Sequence, residues 1–300
     1  MAYIIEDANL LKEDKLERTS LLIKNERIES VSPQFKRFTY MRVNASTFIM
    51  TPPHIIFNPE IPSDFSFQSM KMFFINEFIN RGCTMFVTYA QVEKESLFTS
   101  SIKKMKTRLL NSPIDFTIAV KIPLHLLTPE FIRKCKKEKI PAIFIEVEDG
   151  FDLYRIPWGW IREAMFPFNC PLVPVFTEEG KRSKKKNTDI WKQILSEEKI
   201  PHIDNELGVG NPISHSSLCK MGIYPVKTGI KHGGEVSYNF YMMDEGLDRV
   251  TEEELFFKHN HKLRVTVHKG TVIRASQNIL YRPGYGEYIQ IKTPSFFTGE

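Results

Sequence analysis

Apolar positions follow one period at the two ends of the chain and another in the middle. Residues 1–50 read as short strands: in "TSLLIKNERIESVSP", Leu22, Ile23, Ile28 and Val31 flank the polar "KNER", the pattern of a hairpin. "FTYMRVNASTFIM" adds further alternation. From residue 47 the pattern becomes strand, helix, strand, helix. "TMFVTYA", "IDFTIAVKIP", "AIFIEVED" and "PLVPVFTE" are Val/Ile/Phe-rich runs of buried-strand type. Helical stretches separate them: 65–82, 95–112 and 128–140, then "WGWIREAMFPF" and "NTDIWKQILSEEKI". The helix over 128–140 opens with Thr128 as N-cap, Pro129 at its first position and Glu130 in its first turn. A strand plus a helix every ~30 residues implies parallel strands joined by right-handed crossovers.

Taking "FIMTPPHIIF" as the first unit and "KIPHIDNEL" as the last predicts about six units, two short of a complete (β/α) barrel. After residue 210 strands return. Leu263, Val265 and Val267 alternate with Arg264, Thr266 and His268, and Lys269-Gly270 turns the chain into Val272-Ile273. The predicted fold class is α/β: an incomplete or distorted barrel over 51–210, beside a small β-sandwich built from both chain ends, 1–50 and 211–300.

Composition narrows the function classes only a little. A hydrophobic share of 42% with 26% charged residues is ordinary for a globular chain, and the formal charge of +5 is slight. The one dense basic run, Lys181 to Lys186, reads as a solvated loop before a helix, with no aromatic residues interleaved, so no nucleic-acid partner is expected. No apolar run approaches the roughly 20 residues of a membrane span, so no membrane partner is expected. Acidic residues near the start do not fit a signal peptide, and Cys83, Cys135, Cys170 and Cys219 are scattered without CxxC spacing. The expectation is a cytoplasmic protein with free thiols and no zinc cluster.

Three stretches resemble the amidohydrolase superfamily, nearest its dihydroorotase and hydantoinase (dihydropyrimidinase) branch. "SLLIKNERIESVSP" followed by "RVNASTFIMTPPHIIFNPE" resembles the opening of that family, "GIYPVKTGIKHGGEVSYNFYMMD" a later glycine- and aspartate-rich segment, and "VTVHKGTVIRASQNILYRPGYGEYI" its closing hairpin. The resemblance implies a barrel carrying metal-assisted hydrolysis of a cyclic amide. Aligning Pro52-Pro53 with the family's Pro-Gly sets Ile56 at its aspartate and Asn58 and Glu60 at its paired metal histidines. Where the family's bridging lysine stands, this chain offers Glu146 or Glu148. The later metal histidines are lacking from "VFTEEG", and His202 falls near the start of its strand. Imidazole nitrogen is the usual grip on zinc, and an amide with a lone carboxylate does not replace a pair.

The resulting expectation is a non-catalytic amidohydrolase-like protein, without metal or cofactor, acting by protein or small-molecule binding, with a homodimer or another protein as partner. The alternative is a hydrolase of cyclic amides with a rearranged site at Asn58, Glu60, Glu146 and Glu148. Other clusters have structural readings beside their functional ones. Trp158 and Trp160 beside Arg155 and Arg162 suit a pocket, an interface or simply the core. The acids Asp149, Glu178 and Glu179 read as solvated caps of strand ends, and His259/His261 as an exposed pair. His215 with Ser214, Ser216 and Ser217 lacks the orienting carboxylate and oxyanion hole of a nucleophilic site, and "GVGN" lacks a dinucleotide fingerprint.

Overall fold

The structure is a computed structural model, describing the chain except residues 1, 13, 63–65, 178–179, 245–246, 248 and 296–300 and the side chain at 181. Glu178 and Glu179 therefore lie outside the described residues. The N-terminal strands are β1 (Ala2–Lys12), β2 (Lys15–Lys24), β3 (Arg27–Ser32), β4 (Met41–Asn44) and β5 (Phe48–Thr51). Asn25 and Glu26 join β2 to β3 with φ of 51° and 60°, the backbone of a tight hairpin turn that matches strand twist.

The alternating middle comprises β6 (His54–Phe57), α1 (Phe67–Glu77), β7 (Cys83–Gln91), α2 (Phe98–Arg108), β8 (Asp115–Pro123), α3 (Pro129–Glu138), β9 (Ile143–Val147), α4 (Trp158–Met165), β10 (Leu172–Phe176) and α5 (Lys181–Glu197). As expected, the Thr128 hydroxyl accepts from the Phe131 N–H at 3.2 Å, and Pro129 opens α3. The basic run is not a loop: Lys181–Lys186 form the first turns of α5, and the Lys186 ammonium sits 4.3 Å from the Phe151 ring centre. The chain ends with α6 (His215–Met221), β11 (Tyr238–Met242), α7 (Glu252–Phe257), β12 (Leu263–His268), β13 (Thr271–Ala275) and β14 (Asn278–Ile279).

Two sheets result. A nine-stranded mixed sheet runs β14-β13-β12-β11-β5-β1-β2-β3, with β4 paired to β1, so the two chain ends do build one β layer. It curls back on itself: the Ile28 N–H donates to Gly234 O at 3.0 Å, and the Gly233 N–H to Ile28 O at 2.8 Å. Ile5, Leu21, Ile23, Met50, Phe240 and Val267 pack together as one of its buried clusters. The second sheet is five parallel strands, β6 to β10 in sequence order. The expected count of six needs correction. Phe48–Thr51 belongs to the mixed sheet, and Pro52-Pro53, which cannot donate ladder hydrogen bonds, carries the chain from one sheet to the other. At the far edge the expected last strand is reduced to a single bridge, His202 beside Leu172.

Both edges of the parallel sheet are nevertheless paired. The Leu172 N–H donates to Pro201 O at 2.9 Å and the Ile203 N–H to Leu172 O at 2.8 Å, along β10. The chain then crosses to β6, where the Gly210 N–H meets Phe57 O and the Ile213 N–H meets Ile55 O, both at 2.8 Å. One segment, 201–213, thus closes a half-barrel. Ile56, Phe86, Ile118, Val120, Ile145 and Leu172 pack with the helices on the outer face. Ile55, Phe57, Met85, Val87, Phe144 and Val173 point inward with Ile203, Ile213 and Leu218. Residues 286–289 run across the start of β8, where a Cβ at Gly286 would stand 1.9 Å from the Ile114 carbonyl oxygen.

Asp115, at the first position of β8, ties this half-barrel to the mixed sheet. It is fully buried, and its carboxylate contacts the ammonium groups of Lys227 and Lys269, each at 2.7 Å, and accepts from the Glu287 N–H at 2.8 Å. Removing it leaves Lys227, whose side chain is 9% exposed, with Glu235 as its remaining ion-pair partner among the described residues. Asp115→Ala is expected to cost about 3–5 kcal/mol in urea unfolding. The double variant with Lys227→Met should recover part of that loss, because the unpaired buried charge is then gone too.

Candidate functional site

Period 2 places Lys121 and Glu146 on the inner face, at the C-terminal ends of β8 and β9, where barrel active sites form. They pair with each other at 2.8 Å. Burial alone would lower the Lys121 pKa, but hydrogen bonding and the charge of Glu146 outweigh it and hold the ammonium above its usual range. Beneath the pair the interior is filled by aromatic rings. Phe57 stacks on Phe144 with centres 4.9 Å apart, and Tyr89 packs against Phe144 at 5.2 Å and Phe57 at 5.8 Å.

The other expected mouth positions are also accounted for. The Asn58 side chain is buried, and its carboxamide oxygen accepts from the Glu60 N–H at 3.0 Å, an Asx turn that ends the strand. Glu60 and Glu148 are exposed. Asn58, Glu60, Glu146 and Glu148 thus offer one amide engaged with the backbone, one carboxylate engaged with an ammonium and two solvated acids. Among the described residues no histidine joins them within metal-binding reach. This donor set does not fit the metal centre that the family resemblance implies.

The tryptophan segment divides. Trp158 is 5% exposed and donates its indole N–H to Leu153 O at 2.9 Å, whereas Trp160 is 65% exposed on the surface of α4. Arg155 pairs with Asp152 at 3.1 Å, and Arg162 donates to Glu198 O at 2.9 Å. His215 follows the N-cap Ser214 and packs edge-on to Tyr224 at 4.4 Å, while its neighbour Cys219 lies 3.8 Å away with its thiol pushed up by burial. No carboxylate orients that imidazole among the described hydrogen bonds.

At the opposite end of the half-barrel, Asp115, Glu235 and His268 bring ligand-type atoms within 4.8 Å of one another. The positive charge this trio calls for comes from the chain: the Lys227 ammonium lies 2.7 Å from Asp115 and 2.5 Å from Glu235. His268 Nε2 stands off at 3.6 Å. Burial would raise the Asp115 pKa, but His268 and Lys227 hold it well below the carboxylate range, and the contact distances give the ammonium groups the larger share. Asp115 and Lys121 are the two charged residues of β8, six residues apart and so on one face. That parity is a sequence signal for both the anchor and the mouth pair.

A cleft of about 790 Å³ opens beside the closing segment, walled by Pro52–Ile55, residues 203–208 and 211–218 and the start of α7. His54 lies in its wall, 4% exposed, sharing a 2.7 Å hydrogen bond with the Tyr241 hydroxyl. Burial, reinforced by the charge on Arg81, lowers the His54 pKa to about 4, so the ring is neutral near pH 7. Glu252 behaves oppositely: burial, then the charge of Asp14, pushes its carboxyl up to about 7.

A carboxyl raised from 4.5 to about 7 by folding stabilises the fold below pH 4.5, and that contribution is lost as pH rises through 7. Glu252→Gln is therefore expected to stabilise the protein at pH 8, by on the order of 1–3 kcal/mol. At pH 5, where the native carboxyl is protonated, the substitution should be close to neutral. Denaturant titrations at the two pH values check both.

No protein-family model and no curated protein matches the chain. Solved structures do. Dihydropyrimidinase from Brevibacillus agri NCHU1002 superposes with a TM-score of 0.60 at 11% identity, over 98% of this chain and 99% of that one. D-hydantoinase from a Bacillus sp. AR9 gives 0.59 at 10%, over 97% and 99%. L-hydantoinase from Arthrobacter aurescens gives 0.57 at 11%, over 96% and 99%. At such identities the likeness is one of architecture: the chain has the fold of the hydantoinases and dihydropyrimidinases of the amidohydrolase superfamily.

Proposed function

We propose that this protein is a non-catalytic member of the amidohydrolase-like proteins, acting by binding a protein or a small molecule. The observation that carries this reading is the Lys121–Glu146 pair at the barrel mouth, at 2.8 Å, above the packed rings of Phe57, Tyr89 and Phe144. An internal ammonium takes the place a Lewis acid would need, and the rings leave little depth for a cyclic amide. Asn58, Glu60, Glu146 and Glu148 are on this reading vestigial positions. The two modules are 1–50 with 211–300, and 51–210, joined through Asp115.

A homodimer or a protein partner belongs to the same proposal. It is supported by β4, whose four residues are all exposed and whose described pairing is with β1 alone. Phe38 and Tyr40, just before it, stack at 5.8 Å and are 40% and 37% exposed. A cytoplasmic location fits the four free, buried cysteines. No described helix is long and apolar enough to cross a membrane.

The second reading, a cyclic-amide hydrolase with a rearranged site, is favoured by the fold likeness and by the Asp115–Glu235–His268 trio. Protein produced with added zinc and manganese separates the two. The proposal expects substoichiometric metal and no hydrolysis of hydantoin, dihydrouracil or dihydroorotate above buffer. Stoichiometric metal, lost together with turnover in Glu60→Ala or in Asp115→Asn, would establish the hydrolase and say which end of the barrel carries it.

A further inference from the structure

We propose that the rim of the half-barrel opposite its mouth docks on an anionic lipid surface. This goes beyond the binding reading above and concerns a different face of the molecule. Each helix of the alternating middle carries the chain from the C-terminal end of one parallel strand back to the start of the next. The helices α2, α3 and α4 therefore all end at this rim.

The charge there is one-sided. Lys106, Arg108, Lys136, Lys137 and Lys139 lie in or just after the last turns of α2 and α3, against one acid on the same turns, Glu138. None of these five cations is ion-paired with a carboxylate among the described residues. Toward the mouth, by contrast, α3 is balanced: Arg133 pairs with Glu130, and Lys134 with Glu95 at 2.7 Å. Three of the rim cations are held by neutral groups. The Lys106 ammonium lies 4.3 Å from the Tyr288 ring centre and that of Lys139 4.9 Å from the Phe168 ring centre. Lys136 donates to the Ala164 and Phe166 carbonyls at 3.0 and 2.8 Å. Such contacts fix an ammonium in place without cancelling its charge. The C-terminal ends of two helix dipoles, about half a negative charge each, offset only part of the excess.

A separate observation is apolar. The two most exposed large hydrophobic side chains among the described residues are Phe166, at 70%, and Leu110, at 69%. Leu110 follows the end of α2 and Phe166 the end of α4. Between them stands α3, tied to α4 through Lys136 and to α2 through the Phe98 and Phe131 rings, 5.3 Å apart. Two helix spacings separate the apolar tips by roughly 20 Å. That separation selects the partner. A protein hot spot gathers its apolar contacts into one packed cluster, and a nucleic acid stacks on rings and leaves an aliphatic chain such as Leu110 unused. A bilayer surface takes up apolar side chains one by one at headgroup level while lysines meet its anionic groups. The chain then lies against the interface rather than crossing it, so the contact needs no membrane-spanning helix.

Sedimentation of the full chain with vesicles tests the proposal, using phosphatidylcholine alone and phosphatidylcholine mixed with phosphatidylserine. Association with the mixed vesicles at low salt is expected, with none on phosphatidylcholine alone and release at high salt. Lys137→Glu should weaken it about 10-fold or more, because one basic residue near an anionic membrane contributes roughly 5-fold and the substitution also adds repulsion. Leu110→Ser and Phe166→Ser should each weaken it several-fold. Lys185→Glu, the same change of charge in the first turns of α5 at the mouth end, should leave it nearly unchanged. All four substituted side chains are exposed, so the variants should melt close to the unaltered protein, and lost association then reads as lost contact. No association with the mixed vesicles, equal association with phosphatidylcholine alone, or the same loss in Lys185→Glu as in Lys137→Glu would overturn the inference. So would binding of a single-stranded oligonucleotide or of polyglutamate with the vesicles silent. Such failures leave the binding reading intact, since it concerns the mouth and β4.

Discussion

A parallel sheet that does not close exposes two rows of unpaired backbone groups, and five strands are too few to close a barrel by themselves. The structure meets this constraint with one segment. Residues 201–203 hydrogen-bond along β10 and residues 210–213 along β6, so a single irregular stretch satisfies both edges. Its course decides what lies on either side. Toward the interior, Ile203 and Ile213 complete the apolar filling, and on the flank the two legs frame the acidic cleft. The wall that the alternating units do not provide becomes partly a seal and partly an opening.

The half-barrel has different electrostatics at its two ends. At the mouth, Lys121 and Glu146 neutralise each other over a floor of rings, so neither a free carboxylate pair nor a histidine pair is presented. At the other end Asp115 is held between two ammonium groups from the module built by the chain termini. The mouth pair places an internal cation where a barrel enzyme could hold an external one. In the side cleft the balance is reversed, with carboxylates outnumbering their internal partners.

Much of the architecture was legible in the chain. The cap Thr128-Pro129, the turn Lys269-Gly270 and the change of period near residues 47 and 210 are local signals, and the structure uses each of them. The excess in the strand count has a physical cause: "KIPHIDNEL" is apolar enough to pair, but one bridge and a crossing suffice once the chain must reach β6. Asn58 was ambiguous because an Asn followed by Pro and Glu suits either a ligand remnant or an Asx turn, and only the 3.0 Å contact with the Glu60 N–H decides. A short run of charges suits a solvated loop as well as a solvated helix face, and Lys181–Lys186 form the latter, at the start of α5. The cleft was not readable at all. Asp14 and Glu252 are far apart in the chain and carry no shared motif.

The account depends most on the closing segment being true backbone pairing rather than a loop lying over an open sheet. Residue-resolved hydrogen exchange of the amides of Ile203, Gly210 and Ile213 reports on this directly. Protection comparable to that of Phe86 and Ile118, inside the parallel sheet, is the predicted result. Exchange at the rate of an exposed loop, with those strand amides still protected, would contradict it.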